Sequence, residues 1–434
     1  GFSITVIHTN FNSLDPSKHP HFAFRCIHEE FTGPELEIFK TNSVALLSLL
    51  NDRCLDPFRL CVSELLEEEP VTGLISDVVF HFTQRVADEF KLPRIVLRTG
   101  GAACMLVLNA SLDLAQRGYS FKGARDMNQS VAEFPPLRIK DLPVTTINNT
   151  EMFNDLVVNM NAQAKASSGV ILNTFHELEH SSLDAIGKEF DIPVFPIGPF
   201  HKHYHHHIPG PIDPCSSRTR AQMVASSSSL LTPDDSVMSW LDKHPPKSVV
   251  YVSFGSLVSI SESEFLEVAW GLTNTNRPFL WVVKPGLVRG SKWAEVLPDG
   301  FSKERGLLVK WAPQLEVLAH SAVGVFWTHN GWNSTLESIC EGVPMICTPR
   351  IADQRVNARW VSDVWRVGLQ LEDGMERGEI ERTIGRVMDG GKEGQEIRER
   401  IMGLREKALL CLEPYTGSSY KSLNKLVDHI LSLH

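Results

Sequence analysis

The 434-residue chain has no surplus of basic residues: 42 Lys and Arg stand against 52 Asp and Glu, a net charge of −10 that argues against nucleic acid as a partner. Its apolar runs are short. Val44 to Leu50 is already broken by Ser48, far below the ~20 residues a membrane span needs, so a soluble chain with no membrane partner is expected. The eight cysteines form no CxxC pair, which speaks against zinc or a disulfide framework and for reduced thiols in a cytoplasmic protein. No basic and apolar leader precedes the strand-like Ser3–His8, so no signal peptide is read. No G-x-G-x-x-G follows an early strand, and this counts against a dinucleotide-dependent oxidoreductase, the rival raised by the α/β pattern.

What is there is a globular composition, 42% hydrophobic and 22% charged, long enough for two or three domains at roughly 150 residues each. Short β-rich runs alternate with helix-period segments, the pattern of βαβ units around parallel sheets, so the fold class is α/β with doubly wound, Rossmann-like domains. Strands are expected at Ile4–Thr9, Phe22–Ile27, Gly73–Asp77, Arg94–Thr99 and Gly169–Asn173, with helices such as Phe80–Lys91 and Glu151–Lys165 between them. The pattern restarts with Val249–Phe254, Phe279–Lys284, Leu307–Lys310, Val323–Thr328, Met345–Thr348 and Gly368–Leu371. His201 to Pro233 is rich in His, Pro and Ser without a hydrophobic period, and reads as a linker. The expected division is therefore 1–200, a linker at 201–235, 236–412, and a terminal helix at 413–434 whose apolar face (Leu423, Leu426, Ile430) must dock, on the first domain. The linker histidines His201, His203, His205, His206 and His207 lack a neighbouring Cys or carboxylate cluster, so no metal is expected there.

The informative chemistry follows the strand Val323–Thr328. His329-Asn330-Gly331-Trp332-Asn333-Ser334 leads into an amphipathic helix that stops at Gly342-Val343-Pro344. Gly331 lets backbone approach a ligand, and Asn333 and Ser334 can cap a helix whose N–H groups and dipole attract phosphate. The plainer alternative is that these two residues only cap and Trp332 only fills core.

The surroundings extend the pattern. Trp311 to Gln354 is a 44-residue run reading WAPQ, then His320, THNGWNSTLES, EGVPM, Pro349 and Asp353-Gln354. It resembles the signature box of the plant UDP-dependent glycosyltransferases, family 1 of the glycosyltransferases. The resemblance extends to Tyr251–Ser256, Phe279–Pro285 and Leu297–Phe301, and more loosely to nearly the whole chain. It implies a GT-B fold of two facing Rossmann-like domains, an acceptor-binding first half and a donor-binding second half. Trp311 would stack on uracil, Ala312 and Gln314 would meet base and ribose, and Glu337 would accept both ribose hydroxyls. His329, Asn333, Ser334 and Ser256 would hold the diphosphate, with Trp332, Asp353 and Gln354 facing the sugar. A terminal Gln in the box accompanies glucose in many relatives, so UDP-glucose is the expected donor, with no other cofactor. Trp311 and Trp332 as core aromatics, and Asp353 as a mere helix N-cap, stay open as alternatives; His320 is expected to be structural.

On the acceptor side, inverting transfer needs a base to take the acceptor's proton and a partner to steady that base. Leu74-Ile75-Ser76-Asp77 matches the family's partner aspartate, and Thr99 in Leu97-Arg98-Thr99-Gly100-Gly101 matches a residue that touches the donor sugar in relatives. Asp77 as an N-cap of the following helix is the alternative. The family's histidine, in a Gly-His-x-x-Pro-like segment, has no counterpart, because the sequence begins at what resembles the second strand. Losing a central strand would open two sheet edges, so upstream residues in the natural protein are expected rather than a shortened, inactive UDP-sugar-binding product. Neither His8 nor His81 is a convincing substitute. Tyr204 to Val224 looks like an insertion and is expected to be mobile. Glu133-Phe134-Pro135-Pro136-Leu137, Ser226–Leu231 and Thr328–Met345 look most like the clade with cytokinin N-glucosyltransferases and the steviol-glycoside glucosyltransferase. The resemblance thus implies a monomer that glucosylates a small phenolic, terpenoid or purine-like acceptor.

Overall fold

The computed structural model describes the chain apart from Gly1, 11–14, Glu30, 33–34, 36–41, 120–125, 144–149, 207–231, Leu257, 290–296, 298–300, 302–304, Asp373 and His434. The chain divides into two compact units. One comprises Gly1–Asp113, Ile147–Phe200 and Glu413–His434, and the other Leu114–Thr146 and His201–Leu412. Residues 114–146, which the sequence pattern places with the first half, therefore belong to the second unit. His201 does not open an irregular linker: it lies in a helix, Phe200–His206. The linker from 207 to 231, with most of the Tyr204–Val224 insertion, lies outside the described residues.

In the first unit all pairing is parallel. Strands β1 (Thr5–Thr9) and β2 (Ala23–Ile27) form one sheet, and β3 (Leu74–Asp77), β4 (Arg94–Arg98), β5 (Gly169–Leu172) and β6 (Val194–Pro196) form another in that order. The strand β6 is not visible in the sequence pattern, since it has three residues and ends on proline. The terminal helix Ser418–Ser432 lies against β5 and β6, where Leu426, Leu423 and Ile430 join Ile95, Ile171 and Phe195 in one apolar cluster. Ser419 Oγ donates to the Gly198 carbonyl at 2.6 Å and His429 Nε2 donates to the Ser168 carbonyl at 2.7 Å, fixing both ends of that helix.

The second unit holds β7 (Val249–Ser253), β8 (Phe279–Val282), β9 (Gly306–Val309), β10 (Val323–Thr328), β11 (Met345–Cys347) and β12 (Gly368–Gln370). Every pair is parallel, in the order β12-β11-β10-β7-β8-β9. Strands β7, β8 and β11 are buried at every position, which is why they read as unbroken Val, Ile, Leu and aromatic runs rather than as alternating ones. The sheet separates two cores. Phe265, Trp281 and Trp327 lie in one, and Tyr251, Phe326 and Val317 in the other.

Candidate functional site

The strand order of the second unit fixes where a ligand can bind. From β7 the chain proceeds to β8 on one side, and from β10 to β11 on the other, so the connections diverge and leave a crevice at the carboxyl ends of β7 and β10. After β7 the chain turns at Gly255, whose φ of 72° favours glycine, and presents an exposed Ser256. After β10 the turn is made by Asn330, held at φ 61° by its amide donating to Thr328 Oγ1 at 3.1 Å. The helix Trp332–Glu341 then begins, with Gly331 as N-cap and no side-chain capping bond. Asn333 and Ser334 are thus not caps, as the sequence pattern allowed; they occupy the first helical turn. The first unit holds a helix start of the opposite kind. There the helix Ala102–Gln116 starts beneath the buried Glu179, whose two oxygens accept from Ala102 N at 2.8 Å and Ala103 N at 2.9 Å. One helix start carries its own anion and the other is capped by no side chain, so the second is the one suited to an anionic ligand.

His329 lies between the two turns. A Cβ on Gly255 would stand 2.6 Å from the imidazole, and one on Gly331 would stand 2.7 Å from Nε2. The glycines therefore admit the ring as much as they admit a ligand. Burial holds the His329 pKa down at about 4, so at neutral pH the ring offers an N–H rather than a positive charge.

Gln314 and Glu337, far apart in sequence, meet beside this helix. Gln314 Nε2 donates to Glu337 Oε2 at 2.6 Å and to Ser334 Oγ at 2.9 Å, and Tyr251 Oη donates to Gln314 Oε1 at 3.2 Å. Tyr251, to which the sequence reading assigns no role, is the buried anchor of this amide. Burial raises the Glu337 carboxyl to about 7, against the opposing pull of Gln314 and Lys202. Trp311 is half-buried against the cluster that contains Ala312 and Val317, and its carbonyl accepts from Asp234 N at 3.1 Å.

Asp353 precedes the helix Gln354–Arg359 but makes no side-chain capping bond; its Oδ2 accepts from Asn357 Nδ2 at 3.0 Å. The same Asn357 nitrogen donates to the Asn330 carbonyl at 2.9 Å, joining the two loops of the site, a link the sequence reading missed. Gln354 Oε1 accepts from Arg350 N at 2.9 Å and Ile351 N at 3.0 Å, which leaves the amide nitrogen as the donor it can present. Trp332 is 5% exposed, with Trp365 at 6.2 Å between ring centroids.

In the first unit Asp77 ends β3, and its Oδ1 accepts from Val79 N at 3.0 Å. This closes a turn and does not cap the next helix, which starts at Phe82 after His81 rather than at Phe80. Burial raises the Asp77 carboxyl, opposed by the Val79 amide and by Arg98 and Arg94. Thr99 is exposed just past β4. His8 ends with Nδ1 3.0 Å from the Thr9 carbonyl. His320 is structural: it accepts from Ala322 N at 3.2 Å and meets Asp242 Oδ1 at 3.2 Å.

Known proteins share this fold and much of this sequence. Residues 236–405 match the family described as UDP-glucoronosyl and UDP-glucosyl transferase. The chain is 45% identical over 436 residues to UDP-glycosyltransferase 76B1 of Arabidopsis thaliana, covering 100% of this chain and 92% of that one. It is 44% identical over 445 residues to UDP-glycosyltransferase 76G1 of Stevia rebaudiana, with the same two coverages. Among solved structures, Os79 from O. sativa in complex with UDP superposes with a TM-score of 0.81 at 26% identity, covering 99% of this chain and 94% of that one. Phytolacca americana UGT2 complexed with UDP-2fluoro-glucose and pterostilbene gives 0.78 at 28%, covering 99% and 93%. The fold is GT-B, and the chain belongs to the plant UDP-glycosyltransferases, enzymes that take a UDP-sugar as donor. Within them it groups with the 76 relatives from Arabidopsis and Stevia.

Proposed function

We propose that this glycosyltransferase moves glucose from UDP-glucose, with inversion, to a hydroxyl or nitrogen of a small phenolic, terpenoid or purine-like plant metabolite, as a cytoplasmic monomer. The observation that carries the donor reading is the uncapped start of the helix Trp332–Glu341 at the β7/β10 crevice, with Gln314 and Glu337 joined beside it. In this reading Trp311 stacks on uracil, Ala312 and Gln314 meet the base and ribose, and Glu337 accepts the ribose hydroxyls. Neutral His329, Asn333, Ser334, Ser256 and the backbone at Gly331 hold the diphosphate, whose charge as leaving group is met by the helix dipole. Trp332, Asp353, the Gln354 amide and Thr99 face the sugar. Asp77 steadies the positive charge on the base that takes the acceptor's proton. Phytolacca americana UGT2 is complexed with pterostilbene, which supports a small hydrophobic acceptor.

The test is turnover of UDP-glucose over a panel of such acceptors, with the product anomer read by NMR. A β-glucoside from the α-configured donor is expected. Asp77→Asn should lower turnover by about 100-fold, on the scale of acid–base assistance, while UDP affinity stays within twofold. Loss of both together would count against a purely catalytic role for Asp77.

A further inference from the structure

The α-helix Gln354–Arg359 runs directly into a single π turn, Trp360–Val364, and the two together are still too short to hold their own position, so the placement of Asp353 and Gln354 must come from tertiary anchors. The strongest anchor is at the junction of the two. The Arg359 and Asp141 side chains are each 2% exposed, and the guanidinium forks onto the carboxylate with Nε to Oδ2 at 3.0 Å and Nη2 to Oδ1 at 3.2 Å. Arg359 Nη1 also donates to Asp363 at 2.9 Å and Glu372 at 2.8 Å, and Glu372 in turn accepts from Arg138 at 2.8 Å and Lys140 at 2.6 Å. Near the start of the helix, Arg355 Nη1 donates to the Lys140 carbonyl at 2.7 Å. Asp141 is itself oriented by the Arg138 amide, which donates to Oδ2 at 2.9 Å. The short segment Arg138–Asp141 therefore grips the helix at both ends.

A buried ion pair is a poor source of net stability, because desolvation offsets most of the attraction. What a planar two-pronged pair does supply is a fixed distance and a fixed rotation. We propose that Asp141 and Arg359 are positioning residues for the donor sugar, holding Asp353 and the Gln354 amide at the height and angle that distinguish one hexose from its epimer. This rests on the reading of Asp353 and Gln354 as sugar-facing.

The experiment measures kcat and KM with UDP-glucose and UDP-galactose, and the Kd of UDP, for Asp141→Asn, Arg359→Lys and Gln354→Ala. Because a lone buried charge can prevent folding, the paired replacement Asp141→Leu with Arg359→Met is included; it removes both charges together. The pair variants should keep UDP affinity within twofold, lose at least 10-fold in kcat/KM for the preferred sugar, and narrow the preference between the two sugars at least fivefold. Folded pair variants with an unchanged preference would overturn the proposal if Gln354→Ala narrows it. If Gln354→Ala also leaves the preference unchanged, the sugar-facing reading fails first. A wild-type protein that does not bind UDP would overturn both.

Discussion

Glu337 is the residue through which the proposed donor site can be read out. Its carboxyl is raised from an ordinary value near 4.5 to about 7 by burial, so in the free protein at pH 6 it is mostly protonated. The raised value means that Glu337 contributes stability below pH 4.5, and that this contribution is lost as the pH rises through 7. Ribose hydroxyls donating to the carboxylate favour its charged form, so UDP binding should lower the pKa and release a proton. Calorimetric titrations at pH 6 in buffers of different ionisation enthalpy should show a proton released by the wild type beyond that seen with Glu337→Gln. Equal release from both proteins would remove Glu337 from the ribose site. Glu337→Ala should weaken UDP binding by about 1–3 kcal/mol, because hydroxyls buried on binding lose their acceptor.

At the scale of elements, the start of the helix Trp332–Glu341 depends on two turns that leave room for one imidazole. Gly331 is not in a left-handed conformation, so its need is steric: a Cβ there lies 2.7 Å from His329 Nε2, and the Gly255 turn closes on the same ring. Gly331→Ala should therefore displace His329, costing about 1–3 kcal/mol of stability as overpacking does, and lowering UDP affinity about tenfold. Denaturant titration and UDP calorimetry check the two effects, and unchanged affinity in a folded variant would show that His329 does not serve the diphosphate. The strands that frame this element were legible in sequence to within one or two residues, because buried parallel strands leave runs of apolar residues between turn signals. The capping was not legible. Asn333 and Ser334 are good caps by type, and only the φ/ψ values show that the helix has already begun before them. The Glu179 cap was hidden for another reason: it serves amides 76 and 77 positions earlier in the chain, and no local pattern encodes such a pairing.

At the scale of the whole molecule, long-range pairs decide which segment belongs to which unit. Residues 114–146 join the second unit although they lie between elements of the first, and Asp141 finds Arg359 across 218 positions. Hydrophobic periodicity cannot predict that, since both partners are charged and would be read as surface. The terminal helix is the converse case: its apolar stripe announced that it docks, and its partner is the first unit. If the donor site lies where it is proposed, that return divides stability from donor binding. Leu426 is 5% exposed and packs with Ile95, Ile171 and Phe195 in the first unit, whereas Gln314, His329 and Glu337 all lie in the second. Leu426→Ala leaves a cavity and should destabilise the first unit by about 2–4 kcal/mol. Its unfolding midpoint in denaturant should fall, while UDP affinity, measured well below that midpoint, should stay within twofold. A matching loss of UDP affinity in the folded variant would mean that the donor site depends on the docked helix and is not contained in the second unit.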